Sequence, residues 1–153
     1  MRFSGILNKQ TSDIVAPPLL PIGHYIAQLK KLPDMGSTKD GSYDTVDFTL
    51  SIVSACESVD TDELAEFGNP AGQIVRKRFL FNTDPAEERN FKLSEVNMMN
   101  FLRNTGVDVE GGDVATAIND AIGGFIKVEI THRADPKNPA NLYLDVGRTA
   151  VAD

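Results

Sequence analysis

Between Tyr43 and Ala55 the chain alternates: Val46, Phe48, Leu50 and Ile52 are separated by Asp47, Thr49 and Ser51. A period of two puts the apolar set on one face of an extended strand and the polar set on the other, a sorting no helix achieves. Such a strand buries one face and needs partners along its edges, so the chain is committed to a sheet. Four other segments fit beside it. Gly23 to Leu32 places Tyr25, Ala27 and Leu29 on one face, with His24, Ile26, Gln28 and Lys30 on the other. Gln73 to Phe81 is a basic and aromatic run that Asn82-Thr83-Asp84-Pro85 stops. In Phe125 to His132, Ile126, Val128 and Ile130 alternate with Lys127, Glu129 and Thr131, and Leu142, Leu144 and Val146 share a face of the last strand, Leu142 to Val146.

The segments between these strands divide into loops and helices. Pro33 to Ser42 is turn chemistry throughout and is expected to be a long hairpin loop. Glu57 to Gly72 is acidic, with Gly68-Asn69-Pro70, and reads as loop around one helical turn at Asp62 to Phe67. Phe91 to Asn104 carries Leu93, Val96, Met98, Phe101 and Leu102, with Gly106 placed to end a helix. From Asp113 to Ile122, Val114, Ala117, Ile118, Ala121 and Ile122 recur at helical spacing, Asp113 standing as N-cap and Gly123-Gly124 as terminator. Both stripes are expected to lie on the sheet.

The order strand, strand, strand, helix, helix, strand, strand predicts a mainly β fold with inserted helices. It matches a five-stranded Greek-key barrel of the oligonucleotide-binding (OB) type, with the helices between strands three and four. An open antiparallel sheet with helices on one face is the competing architecture. A length of 153 residues suits one domain. The expected organisation is an arm over 1–21, an OB-like domain over 22–149 and a short tail over 150–153. Pro17, Pro18 and Pro21 keep the arm out of regular structure, while Phe3, Ile6 and Leu7 give it apolar anchors for self-association or for folding back on its own domain.

Composition bounds the function. A single cysteine, Cys56, permits no internal disulfide and favours a reducing compartment. No apolar run reaches the roughly 20 residues of a membrane helix, and Met1-Arg2-Phe3-Ser4 opens without a signal core. The expectation is a cytoplasmic protein with no membrane partner. His24, His132 and Cys56 have no ligand spacing, and the acidic loop lacks a calcium-loop pattern, so no metal is expected. No nucleophile motif is present, and Gly36-Ser37-Thr38-Lys39-Asp40-Gly41 lacks the phosphate-loop sequence and a following helix. Neither an enzyme nor a cofactor is expected.

Binding is what remains. Val75-Arg76-Lys77-Arg78-Phe79-Leu80-Phe81-Asn82 sets three cations beside two phenylalanines in a chain of net charge -7. A groove for single-stranded nucleic acid needs cations for phosphates and rings for bases. Period two divides the run: Arg76 and Arg78 share one face, and Lys77 joins Val75, Phe79 and Phe81 on the other. With the rings inside, the arginines form a phosphate track; with the faces reversed, the rings are exposed for stacking. Further candidate cations are Lys30, Lys31, Lys39, Lys127, Arg133 and Lys137, and Tyr25, Tyr43 and Tyr143 are candidate stacking residues.

Several stretches also carry a family likeness. They are Leu20-Pro21-Ile22-Gly23-His24-Tyr25, Asp47-Phe48-Thr49-Leu50, Gly72-Gln73-Ile74-Val75-Arg76 through Phe81-Asn82, and Asn97-Met98-Met99-Asn100-Phe101-Leu102. With the junction Ile122-Gly123-Gly124-Phe125-Ile126-Lys127-Val128-Glu129-Ile130, the chain resembles a family of small bacteriophage single-stranded DNA-binding proteins from about Leu20 to Arg148. The resemblance implies an OB-fold viral protein that coats single-stranded DNA in the infected bacterial cell. It also implies a role in DNA replication or recombination, beside phage proteins of those processes. Many such proteins carry an acidic C-terminal tail that recruits partners, whereas the stretch Val146-Gly147-Arg148-Thr149-Ala150-Val151-Ala152-Asp153 is short with one terminal acid; the chain also has no tryptophan, so stacking would rest on tyrosine and phenylalanine. A virion structural protein, in capsid decoration or the tail, is the alternative expectation from the proline-rich arm and acidic surface. A DNA mimic is a third.

Overall fold

The computed structural model describes residues 2–13 and 17–153; Met1 and residues 14–16 of the expected arm lie outside the described residues. Six strands form one sheet: β1 (Gly23–Leu29), β2 (Asp34–Ser37), β3 (Tyr43–Ala55), β4 (Ile74–Asn82), β5 (Phe125–Ala134) and β6 (Leu142–Val151). Among the described residues three α-helices accompany them: α1 (Thr61–Phe67), α2 (Glu88–Asn104) and α3 (Val114–Ala121). The protein is mainly β and antiparallel, with α2 and α3 between β4 and β5.

The sheet is built around β3. One edge of β3 pairs with β4 from Tyr43↔Asn82 to Ser51↔Ile74. Its other edge takes β2 at Asp44 to Asp47 and then β1 at Leu50 to Ala55. β1 continues to β5, and β5 to β6, with register shifts between Ile26 and Ala27 and between Val128 and Ile130. Shifts of this kind bend a strand and sharpen its twist, which suits a curled sheet. No ladder joins β4 to β6 among the described residues, so hydrogen-bonded pairing does not close the sheet.

The strand count corrects the five-strand expectation. Asp34-Met35-Gly36-Ser37, expected as hairpin loop, is β2, because the first half of β3 offers it an otherwise unpaired edge. Backbone pairing there overrides the turn-like composition. β1 ends at Leu29 rather than Leu32, and the last strand reaches Val151, so Ala150 and Val151 pair with Lys127 and Ile126 instead of forming a tail. Leu20 is buried against the sheet, whereas Phe3, Ile6 and Leu7 are exposed in a short 3-10 helix.

Alternation sets the core. Tyr25, Ala27 and Leu29 of β1, Phe48, Leu50 and Ile52 of β3, and Ile126, Val128 and Ile130 of β5 are all buried. Phe48, Phe79 and Phe101 meet at its centre, with ring centroids 4.8–5.9 Å apart. Phe101 comes from α2, which also buries Met98 and Leu102. Leu93 and Val96, expected on the same apolar stripe, are instead 49% and 54% exposed. They lie on the solvent side of α2, whose sheet-facing side runs from Phe91, against Phe81, through Ser94 to Met98, Phe101 and Leu102. Asp113 caps α3 as expected, accepting from the Thr116 N–H at 2.8 Å, and that bond holds its carboxyl below the usual range. Among the described residues no helix is long and apolar enough to cross a membrane.

Because Phe48 packs against both other rings, Phe48→Ala should cost about 3–5 kcal/mol of stability. Urea unfolding checks this; a loss below about 1 kcal/mol would mean the ring cluster is not the centre of the core.

Candidate nucleic-acid interface

Strand register decides which side chains share the outer face of β3 and β4. On β4, Val75, Phe79 and Phe81 point into the core, and Ile74, Arg76, Arg78 and Leu80 point outward. Opposite them on β3 stand Ser51, Thr49, Asp47 and Thr45, with Tyr43 opposite Asn82. The rings are therefore interior and Arg76 and Arg78 are the exposed pair.

The two arginines differ in what they touch. Arg78 makes a bidentate pair with Asp47, Nε to Oδ1 at 2.8 Å and Nη2 to Oδ2 at 3.0 Å. The Asp47 side chain is only 13% exposed, and Asp34 sits across from it on β2. Hydrogen bonding to Asp47, and then its charge, pushes the guanidinium further toward the protonated form. Arg76 makes no ion pair among the described residues and lies opposite Thr49. On the other side of Thr49, the Lys30 N–H donates to the Thr49 carbonyl at 3.4 Å, and Lys30 follows inward-facing Leu29, so its side chain faces outward. Lys30 also has no acidic partner among the described residues. Thr49 is 8% exposed, and its Oγ1 has no hydrogen-bond partner. Two uncompensated cations thus bracket a buried hydroxyl.

Other candidates are distributed more widely. Tyr43 shares this face, six residues along β3 from Thr49, or about 20 Å. Lys39 is exposed in the turn between β2 and β3. Lys127 is on the outer side of β5, separated from β3 by β1. Arg133 lies beyond the Gly23 end of β1, opposite the end that carries Lys30. It is held by Asp145 at 2.9 Å and stacks 5.4 Å from the centroid of Tyr143, whose hydroxyl donates to Asp135. That cluster is internally satisfied and does not join the Arg76 face.

Two expectations need correction. Lys77 points inward and crosses to β6, where its Nζ donates to the carbonyls of Val146 at 3.3 Å and Gly147 at 3.1 Å. Burial lowers its pKa, with Asp145 opposing the shift. Tyr25 is not a stacking platform: it is 0% exposed, and its hydroxyl donates to the Pro21 carbonyl at 2.7 Å. Period two put it on the core face with Ala27 and Leu29, and the phenol found its partner in the chain that leads into β1.

Sequence reasoning passed over Asp47 as the partner of Arg78, since strand pairing alone brings it there. It also passed over a polar row on α2, Ser94, Asn97, Asn100 and Asn104, although spacings of three and four in the sequence signal one helical face. In comparison with known proteins, no protein-family model matches the chain and no curated protein matches it.

Burial, and to a lesser degree the Glu63 carboxylate, pushes the Tyr25 hydroxyl from 10.0 to about 12. In the unfolded chain the phenol ionises near 10.0, while the folded protein keeps its proton to about 12. Between those values the unfolded state releases the proton first, so stability should fall as pH rises through this window. Melting temperatures across the range check it: Tyr25→Phe should flatten the fall, and an unchanged slope would reject the assignment.

Proposed function

We propose that this is a non-enzymatic, sequence-tolerant single-stranded DNA-binding protein of phage type, acting in replication or recombination. Its scaffold is read as an OB-type barrel in which side chains, not a ladder, bridge the last side. Support for the scaffold comes from the connectivity, with two helices between β4 and β5, and from the parallel directions of β4 and β6. These follow from the antiparallel steps through β3, β1 and β5.

The reading is carried by one observation: Lys30 and Arg76 flank Thr49 on the outer face with no carboxylate paired to either among the described residues. Phosphates of a single strand bind these two cations. Exposed Ile74, Leu80 and Tyr43 on the same face offer apolar surface to bases. Stacking of a base on an aromatic ring contributes roughly 1–3 kcal/mol and tolerates any sequence, and Tyr43 supplies a ring on this face. Arg78 contributes less, because phosphate must compete with Asp47.

Fluorescence titration with labelled oligo-dT at several salt concentrations tests this. Affinity should fall with a log-log slope of about -0.7 per phosphate contacted. Arg76→Glu and Lys30→Glu should each weaken binding about tenfold or more with melting temperature unchanged. Arg78→Glu should lower the melting temperature, since it leaves the half-buried Asp47 without its partner. Failure to bind at low salt rejects the reading.

A further inference from the structure

β4 and β6 run side by side without pairing, and the space between them is a groove of about 800 Å3. That volume is within the roughly 300–1,000 Å3 of small-molecule sites. α2 lies along it and ties to both lips: Ser94 Oγ donates to the Leu80 carbonyl at 2.6 Å, and Asn104 Nδ2 donates to Thr149 Oγ1 at 3.0 Å. Asn97 and Asn100 line the groove between those two anchors. The Asn97 side chain makes no hydrogen bond among the described residues. Asn100 accepts from Arg103 through Oδ1 at 2.7 Å, which leaves its NH2 free.

Two cations face this space without an ion pair among the described residues. Lys77 spends two of its three N–H donors on Val146 and Gly147 and keeps one. Arg148 is exposed on the β6 lip. Arg78, also in the lining, is committed to Asp47. The lining has one carboxylate, Glu129, whose Oε2 is 4.0 Å from His24 Nε2. Half-buried ammonium, free guanidinium and two available primary amides suit a ligand with one anionic group and an edge of donors and acceptors. Asparagine pairs bidentately with the adenine edge, and cations take phosphate.

We infer that this groove is a nucleotide site separate from the Lys30 and Arg76 patch, with Arg78 and Leu80 on the border between them, phosphate on Lys77 and Arg148, and the base edge on Asn97 and Asn100. The ligand class rests on the nucleic-acid reading; the place of the site does not. An acidic peptide would use the same cations but gain nothing from the amides.

The test is a 15N NMR titration of the whole chain with dAMP, inorganic phosphate and an oligo-glutamate peptide in separate arms. dAMP should shift the side-chain amides of Asn97 and Asn100 and the backbone signals of Gly147 and Arg148. Arg148→Glu and Asn97→Ala should each weaken dAMP binding about tenfold. Neither residue is buried in the core, so a normal spectrum of each free variant confirms its fold. Arg76→Glu should weaken oligo-dT binding about tenfold or more yet leave dAMP binding intact, which separates failure of this inference from failure of the outer-face reading. Absence of groove shifts, phosphate or peptide binding as tightly as dAMP, or loss of dAMP binding in Arg76→Glu would each overturn it.

Discussion

The sheet depends on the length of β3. Thirteen residues let it pair with β4 on one edge while dividing the other between β2 and β1. A strand with three partners fixes the register of half the sheet, and register fixes which atoms face the core. A slip of one residue would turn Phe48 outward and bring Thr49 among the rings. The aromatic cluster and the outer cationic face are therefore two consequences of one alignment. Neither can shift without the other.

The same alignment leaves β4 and β6 facing each other unpaired. Buried backbone groups need partners, and the carbonyls of Val146 and Gly147 find theirs in the Lys77 side chain rather than in a strand. Placing a lysine on an inward position of β4 carries a desolvation cost, seen in its lowered pKa, which the two carbonyls and the Phe79 ring partly offset. A leucine there would pack more readily and leave the carbonyls bare. The lysine holds the gap without filling it, which is why a groove persists beside it.

What could be read in the sequence was what alternation controls. The bounds of β3, the interior positions of Phe79 and Phe81, and the outward pair Arg76 and Arg78 all follow from period two. β2 was hidden because its residues, Asp34 to Ser37, are exposed and carry no pattern; only a partner edge makes them a strand. Periodicity also cannot say how much of a helix is covered, so Leu93 and Val96 looked like core when only Met98, Phe101 and Leu102 reach it. The pairing of Arg78 with Asp47 lay beyond sequence altogether. The two are 31 residues apart, and a β-ladder brings them together.

That ladder also bears on selectivity. With a net charge of -7, most of the surface repels a polyanion. On the outer face Asp47 pairs with Arg78 and Asp34 with Lys31, so the cations left without an ion pair there among the described residues are Arg76 and Lys30. A duplex presents one phosphate per about 1.7 Å of axis along a stiff rod and would press part of that charge against the acids. A single strand bends, so it can touch the two free cations, avoid the carboxylates and still lay bases on Leu80 or Tyr43. On the proposed reading, the acids are thus part of the discrimination: they remove one arginine from service and leave a patch too small for a duplex but sufficient for a flexible chain.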